Sequence, residues 1–165
     1  MKVESQVSVN SQEISLKAPL SGSLVPLDKV PDPVFSQKMM GDGVGIEPDS
    51  DTLFAPCAGK VVQLHSAGHA VTLETQDGLQ VLGHIGLDTV TLKGKGFKPL
   101  VKMGDQVKLG QKLISFEPDT IRSAGLPLTS VMVVLNESLK NGTIKMSTLE
   151  KIRSTEDTVM QVSYA

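Results

Sequence analysis

The chain has 165 residues, a formal net charge of −2 at pH 7 and a pI near 5.9. This length suits one domain with a sizeable core, and the charge lacks the clustered Lys and Arg expected of a nucleic-acid-binding protein. No apolar run approaches the ~20 residues that cross a bilayer, and the single cysteine, Cys57, excludes an internal disulfide and suits a reducing cytoplasm.

The chain begins with a polar segment that lacks the apolar stretch of a signal peptide. We expect residues 1–14 to form a flexible tail, followed by one domain over residues 15–165. Short apolar runs, punctuated by glycine and proline, predict strands over 25–27, 44–46, 60–64, 70–74, 79–82, 90–92, 112–116 and 131–135. One short helix is predicted near 118–124, and residues 141–165 are expected to pair as edge strands.

This order of elements favours an all-β fold. Many short strands without alternating helices are typical of an antiparallel β-sandwich or a barrel-like single domain. We therefore predict that architecture, with at most one or two short helices.

Two histidines stand at the ends of one predicted hairpin. The dipeptide Asp77-Gly78 is a strong signal for a two-residue turn, which would place Val71 opposite His84 and His69 opposite Gly86. The two imidazoles would then lie on one face, roughly 7–8 Å apart at the backbone. A loop longer by one residue would place them on opposite faces, since side chains alternate along a strand.

Three interpretations of this histidine pair remain open at this point. Each ring could serve only its local backbone, or the two could bind a metal ion. Zinc needs three or four protein ligands, and the sequence offers no clear further one: Cys57 stands alone, and His65 would need a helix to align with His69. In the third interpretation one imidazole is a phosphoryl-accepting nucleophile and the other donates a hydrogen bond to the transferred group.

Several motifs in order support the third interpretation. Over residues 18–136 the chain resembles the glucose-family enzyme IIA of the bacterial phosphoenolpyruvate-dependent sugar phosphotransferase system. The resemblance is carried by the motifs at 18–22 (APLSG), 30–35 (VPDPVF), 38–43 (KMMGDG), 55–59 (APCAG), 69–70 (HA), 84–90 (HIGLDTV) and 92–97 (LKGKGF). It implies a β-sandwich of the duplicated hybrid motif type.

The resemblance also implies roles for particular residues. His84 corresponds to the histidine that takes a phosphoryl group from the phosphocarrier HPr and passes it to a cysteine of a sugar-specific IIB domain of a membrane permease. His69 corresponds to the second histidine, which stabilises that group. The implied partner-binding residues are Asp32, Val34, Phe35, Met40, Leu82, Asp88 and Val90.

Further expectations concern partners, cofactors and location. No cofactor is required beyond a transient phosphohistidine, although His69 and His84 can hold zinc adventitiously. Regulated metabolic proteins are additional partner candidates, and neither nucleic-acid binding nor membrane insertion is expected. The implied location is the cytoplasm, peripherally at a membrane permease.

Two positions depart from the family pattern. Ala67 stands where a threonine is frequent, so a hydroxyl that orients the neighbouring imidazole is missing, unless Ser66 replaces it. Gly83 stands where a β-branched residue is usual, which is expected to loosen the strand and to remove an apolar contact beside the site.

Two alternative functions lack a required residue. A biotinyl- or lipoyl-type carrier module would explain residues 55–61 and 104–111, but it needs a lysine at a hairpin tip, where this chain has Gln76-Asp77-Gly78. A lysostaphin-like zinc hydrolase needs a His-x-His pair, where this chain has His84-Ile85-Gly86.

Overall fold

The computed structural model describes residues 12–164 of the chain. Its strands are β1 (Gln12–Lys17), β2 (Gly22–Pro26), β3 (Gly41–Pro48), β4 (Thr52–Phe54), β5 (Gly59–Leu64), β6 (Ala70–Glu74), β7 (Gln80–His84), β8 (Phe97–Pro99), β9 (Gln106–Val107), β10 (Lys112–Phe116), β11 (Ser130–Leu135), β12 (Thr143–Met146), β13 (Lys151–Ile152) and β14 (Thr158–Tyr164). The short helices are α1 (Pro33–Ser36), α2 (Pro118–Ser123) and α3 (Asn136–Leu139), and 3-10 turns cover Leu27–Lys29 and Thr89–Leu92.

The strands form three antiparallel sheets. The largest has eight strands in the order β13-β2-β3-β11-β7-β6-β5-β9, and two three-stranded sheets have the orders β1-β14-β12 and β4-β10-β8. The predicted all-β sandwich is confirmed, and none of these sheets closes into a barrel within residues 12–164. The described residues contain three short α-helices where at most two were predicted, because the connections between strands fold into single helical turns. The last segment pairs into sheets as predicted, and β12 and β13 are edge strands. The prediction of edge strands is wrong for β14, which is central because β1 and β12 pair with it on either side.

The prediction of a strand over 90–92 is wrong. This segment is part of the 3-10 turn Thr89–Leu92, and the residues on either side, Asp88 and Lys93, have φ of 58° and 54°. Positive φ at both ends is incompatible with an extended strand. The apolar alternation of Val90 and Leu92 therefore belongs to a loop beside the end of β7.

The predicted tail over residues 1–14 lies mostly outside the described residues. Its last part, from Gln12 onward, belongs to strand β1 and pairs with β14. The expectation that the preceding residues form a flexible tail stays a prediction.

The eight-stranded sheet buries both of its faces, but against different partners. One face, including Val71, Val81 and Met132, packs against the two small sheets in the main core. The opposite face carries a smaller apolar cluster that includes Phe35 from α1 and Leu82 from β7. Burying side chains of this size contributes roughly 1.5–3 kcal/mol each, so the smaller cluster fixes α1 against the sheet beside His84.

Candidate active site

Three residues form a row across one face of the large sheet: His65, directly after β5, Ala70 at the start of β6, and His84 at the end of β7. The His65 N–H donates to the Ala70 carbonyl at 3.0 Å, and Ala70 is the direct partner of His84. A β-bulge makes this row possible, since the β5–β6 register shifts between Val61 and Gln63. Without that shift, His65 would face the main core, because successive side chains of a strand point to opposite faces.

The hairpin between β6 and β7 has a longer loop than the sequence predicts. Glu74 pairs with Gln80, and the Thr75 N–H donates to the Leu79 carbonyl at 2.8 Å, so three residues form the loop. Gly78 adopts a φ of 92°, as the left-handed position of such a loop requires. The predicted register was therefore wrong by one residue.

The two predicted histidines nevertheless meet. The rings of His69 and His84 lie edge to face with their centroids 4.9 Å apart. The alternation of side chains along a strand does not apply to His69, because β6 begins only at Ala70. Gly68, with a φ of 83°, turns the chain just before His69. A hairpin loop longer by one residue was expected to put the two imidazoles on opposite faces of the sheet. That expectation is wrong, because His69 lies outside β6.

The histidines share a depression of about 420 Å³ on the surface of the large sheet. Phe35 contacts the His84 ring edge-on, with centroids 5.2 Å apart, and the ring of His65 lies against that of His69 at 4.4 Å. The depression is lined by Asp32, Val34, Phe35, Met40, Gln63, His65, His69, Ala70, Thr72, Leu82 and His84.

A backbone hydrogen bond selects the tautomer of His84. Its Nδ1–H donates to the Gly86 carbonyl at 2.8 Å, so the lone pair of the neutral ring is on Nε2. The Gly86 N–H in turn donates to the Ser130 hydroxyl at 3.0 Å. Gly86 has a φ of 69°, and a Cβ there would come within 2.6 Å of Thr89 Cγ2, so this position requires glycine.

Burial keeps both active-site rings neutral. The pKa of His84 is lowered by removal of the ring from water, although the Gly86 carbonyl and the carboxylates of Asp32 and Asp88 oppose this effect. Burial, together with the neighbouring His84 and His65, lowers the pKa of His69 to about 4. Near pH 7 each ring therefore carries one proton and one lone pair.

The Nδ1 atom of His69 is buried and has no hydrogen-bond partner among residues 12–164. This agrees with the departure at Ala67, whose side chain carries no hydroxyl. Ser66 is exposed on the same turn and does not satisfy this atom. The orientation of the His69 ring is therefore not fixed through Nδ1.

The two predicted acidic residues differ in their surroundings. Asp32 precedes α1, and its Oδ1 accepts the Val34 N–H at 3.0 Å, so it caps that helix. Asp88 is exposed, and its carboxylate does not cap the 3-10 turn that follows it. Both carboxylates lie close enough to oppose the lowering of the His84 pKa by burial.

The predicted apolar residues divide into a rim and a floor. Val34 and Met40, exposed by 41% and 39%, form the rim of the depression, whereas Phe35 and Leu82 are buried in the smaller apolar cluster and form its floor. Val90, exposed by 45%, lies in the 3-10 turn Thr89–Leu92 and does not line the depression. The floor supports the His84 ring through Phe35.

Sequence reasoning did not assign Gln63, His65 or Thr72 to the site, nor Ser130 to its support. Gln63 and His65 follow the bulge in β5, for which the sequence carries no clear signal.

The prediction that Gly83 removes an apolar contact beside the site is wrong. A Cβ there would meet Leu53 at 3.2 Å, so this glycine faces the main core and removes no contact beside the site.

The model of the phosphoenolpyruvate-dependent sugar phosphotransferase system EIIA 1 family matches residues 14–139. A PTS system glucose-specific EIIA component of Oceanobacillus iheyensis is 38% identical over 152 residues, which cover 92% of this chain and 91% of the relative.

Two further matches agree. A PTS system glucose-specific EIIBCA component of Corynebacterium glutamicum is 46% identical over 125 residues, covering 76% of this chain but only 18% of that larger relative. The solved structure of glucose permease IIA from Mycoplasma capricolum has a TM-score of 0.84 and 32% identity, and the match covers 91% of this chain and 96% of that one.

The fold and the paired imidazoles thus define a component of a phosphoryl-transfer system. The chain belongs to the enzyme IIA family of the phosphoenolpyruvate-dependent sugar phosphotransferase system. This family works with HPr and with IIB domains in sugar uptake. The carrier-module and zinc-hydrolase alternatives have no support from these comparisons.

Two further observations concern membranes and metals. Within residues 12–164, no helix is long and apolar enough to cross a membrane. Over the same span, no group of three or more His, Cys, Asp or Glu side chains is arranged to hold a metal ion.

Proposed function

We propose that this chain accepts a phosphoryl group from phospho-HPr on Nε2 of His84 and passes it to a cysteine of a sugar-specific IIB domain. The observation that carries this proposal is the hydrogen bond from His84 Nδ1–H to the Gly86 carbonyl. That bond holds the neutral tautomer whose lone pair is on Nε2, in a ring that is only partly buried. A nucleophilic imidazole needs both a free lone pair and access to its partner.

The transfer exchanges one phosphorus bond for another. The bond between phosphorus and the donor histidine of HPr breaks as the bond to Nε2 of His84 forms. In the second step a cysteine thiolate of the IIB domain attacks, and the bond to Nε2 breaks. Catalysis of such transfers consists mainly of in-line positioning and stabilisation of charge on the phosphoryl oxygens.

His69 supplies part of that stabilisation. Its buried Nδ1 has no hydrogen-bond partner among residues 12–164. A proton on this atom would form a buried N–H without an acceptor, which lowers the stability of the fold. We therefore assign the proton of the neutral ring to Nε2, where it can donate to a phosphoryl oxygen on His84. The low pKa of His69, about 4, keeps this ring a neutral donor that does not bind phosphate as a counter-ion.

The rim of the depression, together with Asp88 and the 3-10 turn that follows it, suits transient docking of two partners in turn. Val34, Met40 and Val90 offer apolar contacts, and the carboxylates of Asp32 and Asp88 complement a basic partner. We place this docking at the cytoplasmic side of a membrane permease, with regulated metabolic proteins as further candidates for the same surface.

Incubation with enzyme I, HPr and phosphoenolpyruvate, followed by intact mass measurement, tests this function. We expect the wild-type chain to gain one acid-labile phosphoryl group and His84→Ala to gain none. A melting curve shows whether the variant is folded. Labelling of His84→Ala at the wild-type rate would refute the assignment of His84.

A further inference from the structure

We infer that His65 is a positioning residue for the phosphoryl transfer: its ring holds the imidazole of His69 in place against His84. This inference deepens the proposed function and rests on it. It concerns a third histidine that lines the same depression and lies against the second one.

The His69 ring is held by packing. Its Nδ1 has no hydrogen-bond partner among residues 12–164, so that atom does not set the ring plane. Three aromatic rings surround it instead, with centroid distances of 4.4 Å to His65, 4.9 Å to His84 and 6.2 Å to Phe97. The shortest of these contacts is with His65.

His65 itself is fixed by its backbone and by its ring. Its N–H donates to the Ala70 carbonyl at 3.0 Å, and its carbonyl accepts the Gly68 N–H at 2.8 Å. The Ala67 N–H donates to Nδ1 of the His65 ring at 3.1 Å. The turn over residues 65–68 thus uses one ring nitrogen to lock the imidazole that lies against His69.

The arrangement places His65 on the outer side of His69. His65 is exposed, whereas His69 is only 3% exposed. Removing the outer ring would leave His69 free to rotate and open to water. Small displacements of a group that stabilises the transferred phosphoryl lower the rate strongly, since the geometry is part of the catalysis.

Three variants test this role. His65→Ala removes the ring, His65→Phe keeps a ring without nitrogen atoms, and Ser66→Ala is the matched control on the same turn. The rates of transfer from phospho-HPr and to the IIB domain are measured for each, together with ¹H–¹⁵N correlation spectra that report the tautomer and pKa of His69.

We expect His65→Ala to slow transfer to the IIB domain roughly tenfold and to move the pKa of His69 from about 4 toward its usual 6.5. His65→Phe should retain most of the rate, and Ser66→Ala should match the wild type. His65→Gln, which has no ring, should behave like His65→Ala and replaces it if the alanine variant is unfolded.

The inference is overturned if His65→Ala, or His65→Gln in its place, keeps the wild-type rate and the wild-type His69 spectrum. It is also overturned if His65→Phe is as slow as His65→Ala, because a ring nitrogen would then be needed instead of the ring itself. Failure of the proposed function gives a different result, since the wild-type chain would then not be phosphorylated on His84 at all.

Discussion

Ala70 is the backbone partner of His84, yet the ring that meets the His84 imidazole belongs to His69, with centroids 4.9 Å apart. Ala70 and His69 both line the depression in which the two rings meet. His84 is oriented by a hydrogen bond to Gly86, whereas His69 is oriented by its ring neighbours. The proposed nucleophile is thus held by a hydrogen bond, whereas the ring proposed to stabilise the transferred group is held by packing.

Replacing His69 separates acceptance from donation. We expect His69→Gln to accept a phosphoryl group on His84 but to pass it to the IIB domain about 10²-fold more slowly, because an amide supplies only part of the lost donor. Rapid-quench measurement of both half-reactions checks this, with His84→Ala as the variant that accepts nothing. Equal loss of both half-reactions would contradict the division of roles.

The low pKa of His69 makes folding stability depend on pH. The pKa is about 4 in the folded chain against 6.5 ordinarily, so the unfolded chain binds this proton more tightly. The stabilisation is complete above pH 6.5 and is lost as the pH falls toward 4, by roughly 3 kcal/mol. Urea unfolding at about pH 7 and about pH 4 should show a smaller loss for His69→Gln than for the wild type. An identical loss in both proteins would show that His69 does not titrate in this way.

The acidic residues Asp32 and Asp88 should differ in what they contribute. Asp32→Ala removes the side-chain oxygen that caps α1 and is expected to cost roughly 0.5–2 kcal/mol of stability. Asp88→Asn should leave the melting temperature unchanged, since its carboxylate is exposed and asparagine tolerates a φ of 58°. It should instead slow association with HPr and weaken its salt dependence.

Melting curves and HPr association rates at two ionic strengths distinguish these effects. A destabilised Asp88→Asn with unchanged HPr binding would assign Asp88 to the fold and not to the partner surface.

The apolar residues of the floor and the rim should also behave differently. Phe35→Ala empties a buried position beside His84 and is expected to destabilise the fold by about 3–5 kcal/mol. Val34→Ala, at an exposed rim position, should weaken HPr binding without changing its salt dependence or the melting temperature. Calorimetry of unfolding and of HPr binding checks both. A Phe35→Ala variant of normal stability with lost HPr binding would make Phe35 a docking residue.

Metal removal should leave the transfer unaffected. His69 and His84 offer two nitrogen ligands, and zinc sites in proteins use three or four protein ligands, so any zinc bound here is held weakly. The rate of phosphoryl transfer after dialysis against a chelator should equal that of the untreated protein. A loss of rate that added zinc restores would make the metal part of the mechanism.

Local sequence patterns were sufficient to predict most of the strands and the part of the site around His84. Alternating and continuous apolar runs predicted β6 and β10 with the bounds that the structure shows. Such runs are informative because burial of one or both faces of a strand requires apolar side chains at particular consecutive positions. The motif around His84 identified the nucleophile proposed here. The acceptor that fixes the tautomer of His84 is also local, but only the structure shows which carbonyl it is, that of Gly86.

Only the tertiary structure decided which side chains share the site. The bulge in β5 brings His65 to the face of His84, and the three-residue loop sets Ala70 opposite His84. The positive φ of Asp88 turns residues 89–92 away from a strand. Each of these depends on how one segment closes against another, and a shift of one residue reverses the face of every side chain that follows. Register is therefore a property of the paired strands and their turns, which the apolar pattern of a single strand does not contain.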